Sequence, residues 1–273
     1  MNKRILTIFL VLISFVIAIG ASFALEVEVT VKLNDQQIKS DQKNLLIEDR
    51  VFVLARFVTE ALNGKIDWIE ETREVTIALE DTNIKLAIDS DIAYVNGNEY
   101  KLDSRPFIRE GRTYIPVRFV SENLNCAVQW IPETFTVDIK KEGLEVAEDK
   151  IEIPTYTDED LLWLSRIVQV ETSDSSLDMK LGVANVVLNR VKSKEFPNSV
   201  YDVIYQIDVY KQFPPAHKDS FKTMEPSYLS KVASKKALEG INNVEDCLFF
   251  NNQPFKGKAD DLFKKIDGEY FYK

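Results

Sequence analysis

The chain has 273 residues and 45% apolar content, enough for two folded domains and a short appendage, each domain with its own core. A net charge of −10 argues against a nucleic-acid partner, because neutralising phosphates takes a basic face. A single histidine, His217, excludes a copper site built from several histidines, and two cysteines, Cys126 and Cys247, read as free buried thiols rather than a disulfide scaffold.

The first element is a secretory signal over residues 1–24. Lys3 and Arg4 precede an apolar run from Ile5 to Ile19, and Ser22 and Ala24 set small residues at a cleavage site. An uncleaved membrane anchor is the alternative, but the run lies at the bottom of the roughly 17–25 residues that span a bilayer.

An internal repeat follows. Arg56-Phe57-Val58 recurs as Arg118-Phe119-Val120, Leu62-Asn63 as Leu124-Asn125, Trp68-Ile69 as Trp130-Ile131, and Val75 and Ile77 as Val137 and Ile139, all 62 residues apart. Each unit reads as a strand, a helix and a hairpin. In the first unit these are an extended 51–53, a helix over 55–62 with Asn63-Gly64 at its exit, and strands over 66–69 and 73–78. Asn96-Gly97 marks another tight hairpin. Trp68 and Trp130 are either exposed sugar-stacking platforms or buried hairpin anchors, and the second is favoured because aromatic residues in strands usually pack. Residues 143–157 read as a linker, since the charged run from Lys140 to Lys150 and Pro154 suit a solvated tether.

Helices lead the second half. Thr157 caps the first, with Asp160 completing a capping box, and Leu161, Leu164, Ile167 and Val168 form an apolar stripe that ends at Glu171. A carboxylate there meets the negative end of the helix dipole and an apolar wall, and both raise its pKa. A carboxylic acid protonated near neutral pH is what glycosidic-bond cleavage needs from a general acid. A second helix spans 177–193, a short one follows Pro197-Asn198-Ser199, and another follows Glu225-Pro226-Ser227 and closes at Gly240. Residues 247–251 and 269–272 read as paired strands. The fold class is α+β in two domains: a β-rich repeat domain with short helices over 25–142, and a helical domain with a small sheet over 158–273.

Residues 161–191, LLWLSRIVQVETSDSSLDMKLGVANVVLNRV, resemble the start of the SleB/CwlJ-type cell wall hydrolases, which include spore cortex-lytic enzymes. The likeness continues through Phe196-Pro197, Val203-Ile204, Gln212-Phe213, Leu248-Phe249-Phe250-Asn251 and Phe271-Tyr272, and so covers about 160–273. Residues 30–140 resemble the repeat domain named after the copper amine oxidase N-terminal stalk, a domain separate from copper and quinone chemistry, and the region is expected to bind the wall or act as a spacer. The implied protein is exported and wall- or spore-associated, without stable membrane insertion after signal cleavage. It cuts peptidoglycan glycan strands in a lysozyme-like helical domain.

The resemblance makes Glu171 the catalytic acid. It associates the family with lytic transglycosylases, where one glutamate acts as acid and then base, with no cofactor and no metal. Asn189 with Arg190 either positions the catalytic loop or substrate amides or simply ends its helix. Gln212 and Phe213 suit N-acetyl sugar recognition by hydrogen bond and stacking. Asn251 and Tyr272 are cleft candidates, with strand pairing or core packing as the alternative. Asp174 and Asp178 read as loop and N-cap residues.

This chain departs from the family at three positions. Ser175 stands where Glu is frequent, Lys180 where Gln is frequent and Glu269 where His is frequent. Lys180 is expected to alter subsite contacts, and Glu269 to remove a supporting interaction. These departures keep open a non-catalytic wall-binding protein on a degenerate domain. A zinc amidase is disfavoured by the single histidine.

Overall fold

The computed structural model describes residues 27–207, 212–255 and 259–273. The expected signal segment lies outside the described residues. Among those described, no helix is long and apolar enough to cross a membrane. The chain divides into two compact units, an N-terminal one ending at Glu152 and a C-terminal one from Ile153 to Lys273.

The N-terminal unit is built on the repeat. In the first half, β1 (Glu28–Leu33), β2 (Gln36–Gln37) and β3 (Asn44–Ile47) precede β4 (Arg50–Leu54), α1 (Ala55–Ala61), β5 (Lys65–Ile69) and β6 (Glu74–Leu79). After β7 (Thr82–Ala87), β8 (Ile92–Val95), β9 (Asn98–Lys101) and β10 (Phe107–Arg109), the pattern returns as β11 (Arg112–Pro116), α2 (Val117–Asn123), β12 (Ala127–Ile131) and β13 (Thr136–Lys140). The element starts keep the sequence offset. Strands β4 and β11 pair antiparallel, Val53 opposite Ile115, inside an eight-stranded sheet ordered β10-β11-β4-β3-β1-β13-β12 with β2 on β1. Strands β5 to β9 form a five-stranded meander. The two helix exits are made by Asn63 and Asn125, both left-handed with φ of 61° and 58°, a conformation asparagine tolerates better than most residues. Asn96 and Gly97 also have positive φ and join β8 to β9 in the expected hairpin.

Two expectations for this half need correction. Trp130 is partly buried and packs on the core, but Trp68, at the same place in the first repeat, is 38% exposed on edge strand β5. The charged run after Lys140 is not a free tether. Val146 is buried, Leu144 and Ile151 pack against the same core, and Ile151 bridges to Ile38. Apolar residues interspersed among the charges hold that segment down, a pattern that bulk composition hides.

In the C-terminal unit, α3 (Asp158–Thr172), α4 (Leu177–Lys192), α5 (Val200–Tyr205), α6 (Asp219–Thr223) and α7 (Tyr228–Leu238) precede β14 (Phe249–Asn251), β15 (Leu262–Ile266) and β16 (Glu269–Tyr272). Helix α3 begins with the expected capping box of Thr157 and Asp160. Ser176, Ser199 and Ser227 cap α4, α5 and α7 through their side chains. Asp178 is therefore a first-turn residue and not the cap. Helix α4 is the centre of the unit, with every residue from Met179 to Leu188 buried. The sheet order is β14-β16-β15, antiparallel throughout. Strand β15 adds a third strand to the expected pair, joined to β16 by a hairpin at Asp267-Gly268, both with positive φ. Gly182 of α4 lets Phe271 approach so closely that a Cβ there would meet the ring at 2.8 Å, which fastens β16 to α4. Cys126 and Cys247 are both buried and free, as expected.

Candidate active site

Glu171 is the penultimate residue of α3, beyond the buried stripe of Leu161, Leu164, Ile167 and Val168. Its Oε1 is buried and has no hydrogen-bond partner. Its pKa is raised from 4.5 to about 7, first by burial and then by the charge of Glu269, with Arg190 acting weakly the other way. Glu269 is half-buried at the start of β16, and burial raises its own pKa. The Ser176 N–H donates to Asp267 Oδ2 at 2.9 Å. That bond ties the β15–β16 turn to the loop between α3 and α4. With the Gly182–Phe271 contact, it brings Glu269 close to Glu171, 98 positions away in sequence.

The end of α3 is held from behind by a buried polar network. Lys180, 1% exposed, donates to Thr172 Oγ1 at 3.0 Å, to the Ser173 carbonyl at 2.5 Å and to Ser230 Oγ at 3.2 Å. Burial lowers its pKa. Ser230 in turn donates to Gln169 Oε1 at 2.9 Å. Lys180 is thus a cation on the C-terminal carbonyls of α3, where the helix dipole favours one. It supports the helix that carries Glu171 and makes no surface for a subsite. Ser173 takes φ 44° at the helix exit, a strained conformation for a residue with a Cβ. Asp178 is engaged away from this site, accepting from Asn243 Nδ2 at 2.6 Å and pairing with Lys264 at 3.5 Å.

Arg190 is buried among three aromatic rings, with its guanidinium carbon 4.9, 5.2 and 5.5 Å from the centroids of Phe196, Phe213 and Phe249. Its Nε donates to the Leu248 carbonyl at 2.8 Å, and one terminal nitrogen donates to Gln212 Oε1 at 3.4 Å. Gln212 is thereby joined to the residue that also acts on Glu171. Phe213 is 2% exposed and packs under Arg190, so its ring is no open stacking face. Asn189 donates to the carbonyls of Glu245 and Cys247 at 2.7 and 2.9 Å, which leaves its amide hydrogens fastening that loop instead of meeting a sugar. Tyr272 is 1% exposed, and its hydroxyl accepts from the Phe255 N–H at 3.1 Å, the core-packing alternative. Asn251 is half-buried opposite Tyr270, and its amide donates to the Gln253 carbonyl at 3.0 Å. Of the expected site residues, the fold links Glu171 and Gln212 through Arg190. Asn189, Phe213 and Tyr272 serve packing and loop anchoring.

Residues 174–272 match the family model Cell Wall Hydrolase. The C-terminal unit is a cell wall hydrolase domain. The protein is accordingly a peptidoglycan-cleaving enzyme. Residues 32–139 match the Copper amine oxidase N-terminal domain. The matched hydrolase span opens three residues after Glu171, so the case for that residue rests on its motif and surroundings.

Among solved structures, the catalytic domain of the germination-specific lytic transglycosylase SleB from Bacillus anthracis is similar at 26% identity and a TM-score of 0.39, over 45% of this chain and 100% of that one. The catalytic domain of the Bacillus cereus SleB protein is similar at 25% identity and a TM-score of 0.38, over 44% of this chain and 94% of that one. A search of curated proteins gave no match. Among the described residues, no group of three or more His, Cys, Asp or Glu side chains is placed to hold a metal ion.

Proposed function

We propose that this cell wall hydrolase domain cuts the β-1,4 bond between N-acetylmuramic acid and N-acetylglucosamine as a lytic transglycosylase, with Glu171 as acid and then base. The observation that carries this is the buried Glu171 Oε1, which has no hydrogen-bond partner, on a carboxyl whose pKa is pushed up to about 7, so that it holds a proton near neutral pH. That proton goes to the glycosidic oxygen as the C1–O bond breaks and the glucosamine departs. The resulting carboxylate takes the proton of the muramic 6-hydroxyl, whose oxygen closes on C1. The product is a 1,6-anhydromuramic end, and Glu171 is left protonated for the next cycle. Gln212, held by Arg190, is proposed to meet a substrate N-acetyl group. Export by residues 1–24 would deliver the enzyme to the wall, with spore cortex as one candidate form of the substrate.

Glu269 favours a second reading. A two-carboxylate hydrolase needs a partner for its acid, and this carboxylate, not Asp174 or Asp178, is the one whose charge bears on Glu171. Mass spectrometry of digested sacculi separates the two. Anhydromuramic ends are expected, and reducing muramic ends as the main product would overturn the transglycosylase reading.

A further inference from the structure

The N-terminal unit carries a groove of about 650 Å³. Trp68 of β5, Phe57 of α1 and Ile108 of β10 supply its apolar surface. Trp68 and Ile108 are 38% and 41% exposed. The repeat shows that the fold does not demand this. Trp130 occupies the matching place in β12, packs on the core and lies edge-on to Phe135 at 6.4 Å. Trp68 instead keeps its ring in the groove, where its indole Nε1 donates to Glu70 Oε2 at 2.5 Å. That bond fixes the ring orientation before any ligand arrives, and pre-organisation of this kind lowers the cost of binding.

The rim is charged but balanced. Arg56, Arg73 and Arg112 line it together with Asp41, Asp67 and Glu70, three of each sign. Arg112 grips Asp41 Oδ2 through two nitrogens at 2.8 and 2.6 Å. A polyanion or polycation gains little from such a rim. A neutral ligand with an apolar ring face and many hydroxyl and amide groups gains from both parts, since the indole takes the ring face and the fixed charges take the polar edge. A pyranose bearing an N-acetyl group has this make-up, and the volume is of the order that holds a small ligand.

We propose that this groove is a second glycan-binding site, separate from the bond-cleaving residues, and that it takes N-acetylated sugar strands with one pyranose stacked on Trp68. Only the choice of polymer rests on the peptidoglycan-cleaving function of the other unit. The site holds the enzyme on its insoluble substrate between cuts.

The test uses the full chain carrying Glu171→Gln, titrated with the tetramer of N-acetylglucosamine by calorimetry and sedimented with purified sacculi. Trp68→Ala should weaken binding at one site about tenfold, the usual size for losing an aromatic anchor. Trp68→Phe should restore most of that loss, and melting temperatures should match the parent because the side chain is exposed. Should Trp68→Ala melt early, Ile108→Asn at the exposed apolar wall carries the same expectation. Equal tetramer affinity in these variants and the parent, or no rescue by phenylalanine, overturns the site. Retained lysis in Glu171→Gln would strike the catalytic assignment alone, since tetramer binding is scored apart from cleavage.

Discussion

Glu60 and Glu171 hold the same local position, each the penultimate residue of its helix, yet their acidities move in opposite directions. Glu60, in the N-terminal unit, meets Lys150 at 2.8 Å, and that ion pair holds its carboxyl below the usual glutamate range. Glu171, in the C-terminal unit, has an unpartnered buried oxygen and is pushed up to about 7. Both sit at the negative end of a helix dipole, so the dipole cannot decide the outcome. A partner cation favours the charged form, and burial beside another carboxylate favours the neutral one. Glu60 is fastened as a charged group, while the surroundings of Glu171 favour its protonated form.

The sharpest way to break this comparison is to replace both glutamates. Glu171→Gln should lower the rate of sacculus lysis by roughly two to four orders of magnitude, the usual loss for a positioned general acid. Glu60→Gln should leave lysis unchanged. Turbidity assays beside thermal melts read both, and near-parent lysis by folded Glu171→Gln would remove Glu171 from the mechanism.

The next largest effect is on stability. The folded-state pKa of Glu171 lies above its ordinary 4.5, at about 7. Folding therefore favours the protonated form, and its stability falls as pH rises from 4.5 through 7. The full penalty at pH 8 is on the order of 3 kcal/mol, taking 1.36 kcal/mol per pKa unit. Glutamine does not ionise, so Glu171→Gln should be more stable than the parent at pH 8, with the gain fading towards pH 4. Denaturant titrations at both pH values measure this, and a gain independent of pH would show that ionisation is not its cause.

The N-terminal repeat was legible almost element by element, because its signals are local. Strand alternation, Asn63 and Asn125 at helix exits, and Asn96-Gly97 each act within a few residues. Helices α3, α4, α5 and α7 were equally legible from their caps. The place of Glu171 near the end of α3 was readable from the stripe it ends. The remainder of the site was not, because it depends on which distant residues the fold brings together. Glu269 and Lys180 stood out only as departures from the family, and neither the charge of Glu269 beside Glu171 nor the burial of Lys180 behind α3 can be read before the helices and sheet pack. Phe213 reads as a stacking face and Tyr272 as a cleft candidate in sequence, but whether an aromatic faces a cleft or a core is decided by packing.

Lys180 offers a smaller test of the same contrast between fastening and chemistry. Lys180→Ala would leave Thr172, the Ser173 carbonyl and Ser230 without their shared donor. Stranding buried polar groups costs roughly 1–3 kcal/mol. The melting temperature should drop, and lysis should fall because the end of α3 loosens. Lys180→Gln keeps a donor and should recover part of both. Unchanged stability in Lys180→Ala would mean that water satisfies these groups without it.

The smallest expected effect concerns Glu269. Its negative charge is the second cause of the raised Glu171 pKa, after burial. Glu269→Gln removes that repulsion, while Arg190 still favours the carboxylate. The Glu171 pKa must then fall, but burial keeps it above 4.5. Under the proposed mechanism lysis requires protonated Glu171, so activity is expected to be lost as pH rises through that pKa. The alkaline limb of the rate–pH profile should therefore move to lower pH in Glu269→Gln, with the rate at acid pH preserved. An unmoved limb would mean that the two carboxylates are too far apart or too well screened to interact. Loss of lysis at every pH would be a different result. It would give Glu269 a part in bond cleavage, and reducing muramic ends in the parent's products would then assign it the activation of water.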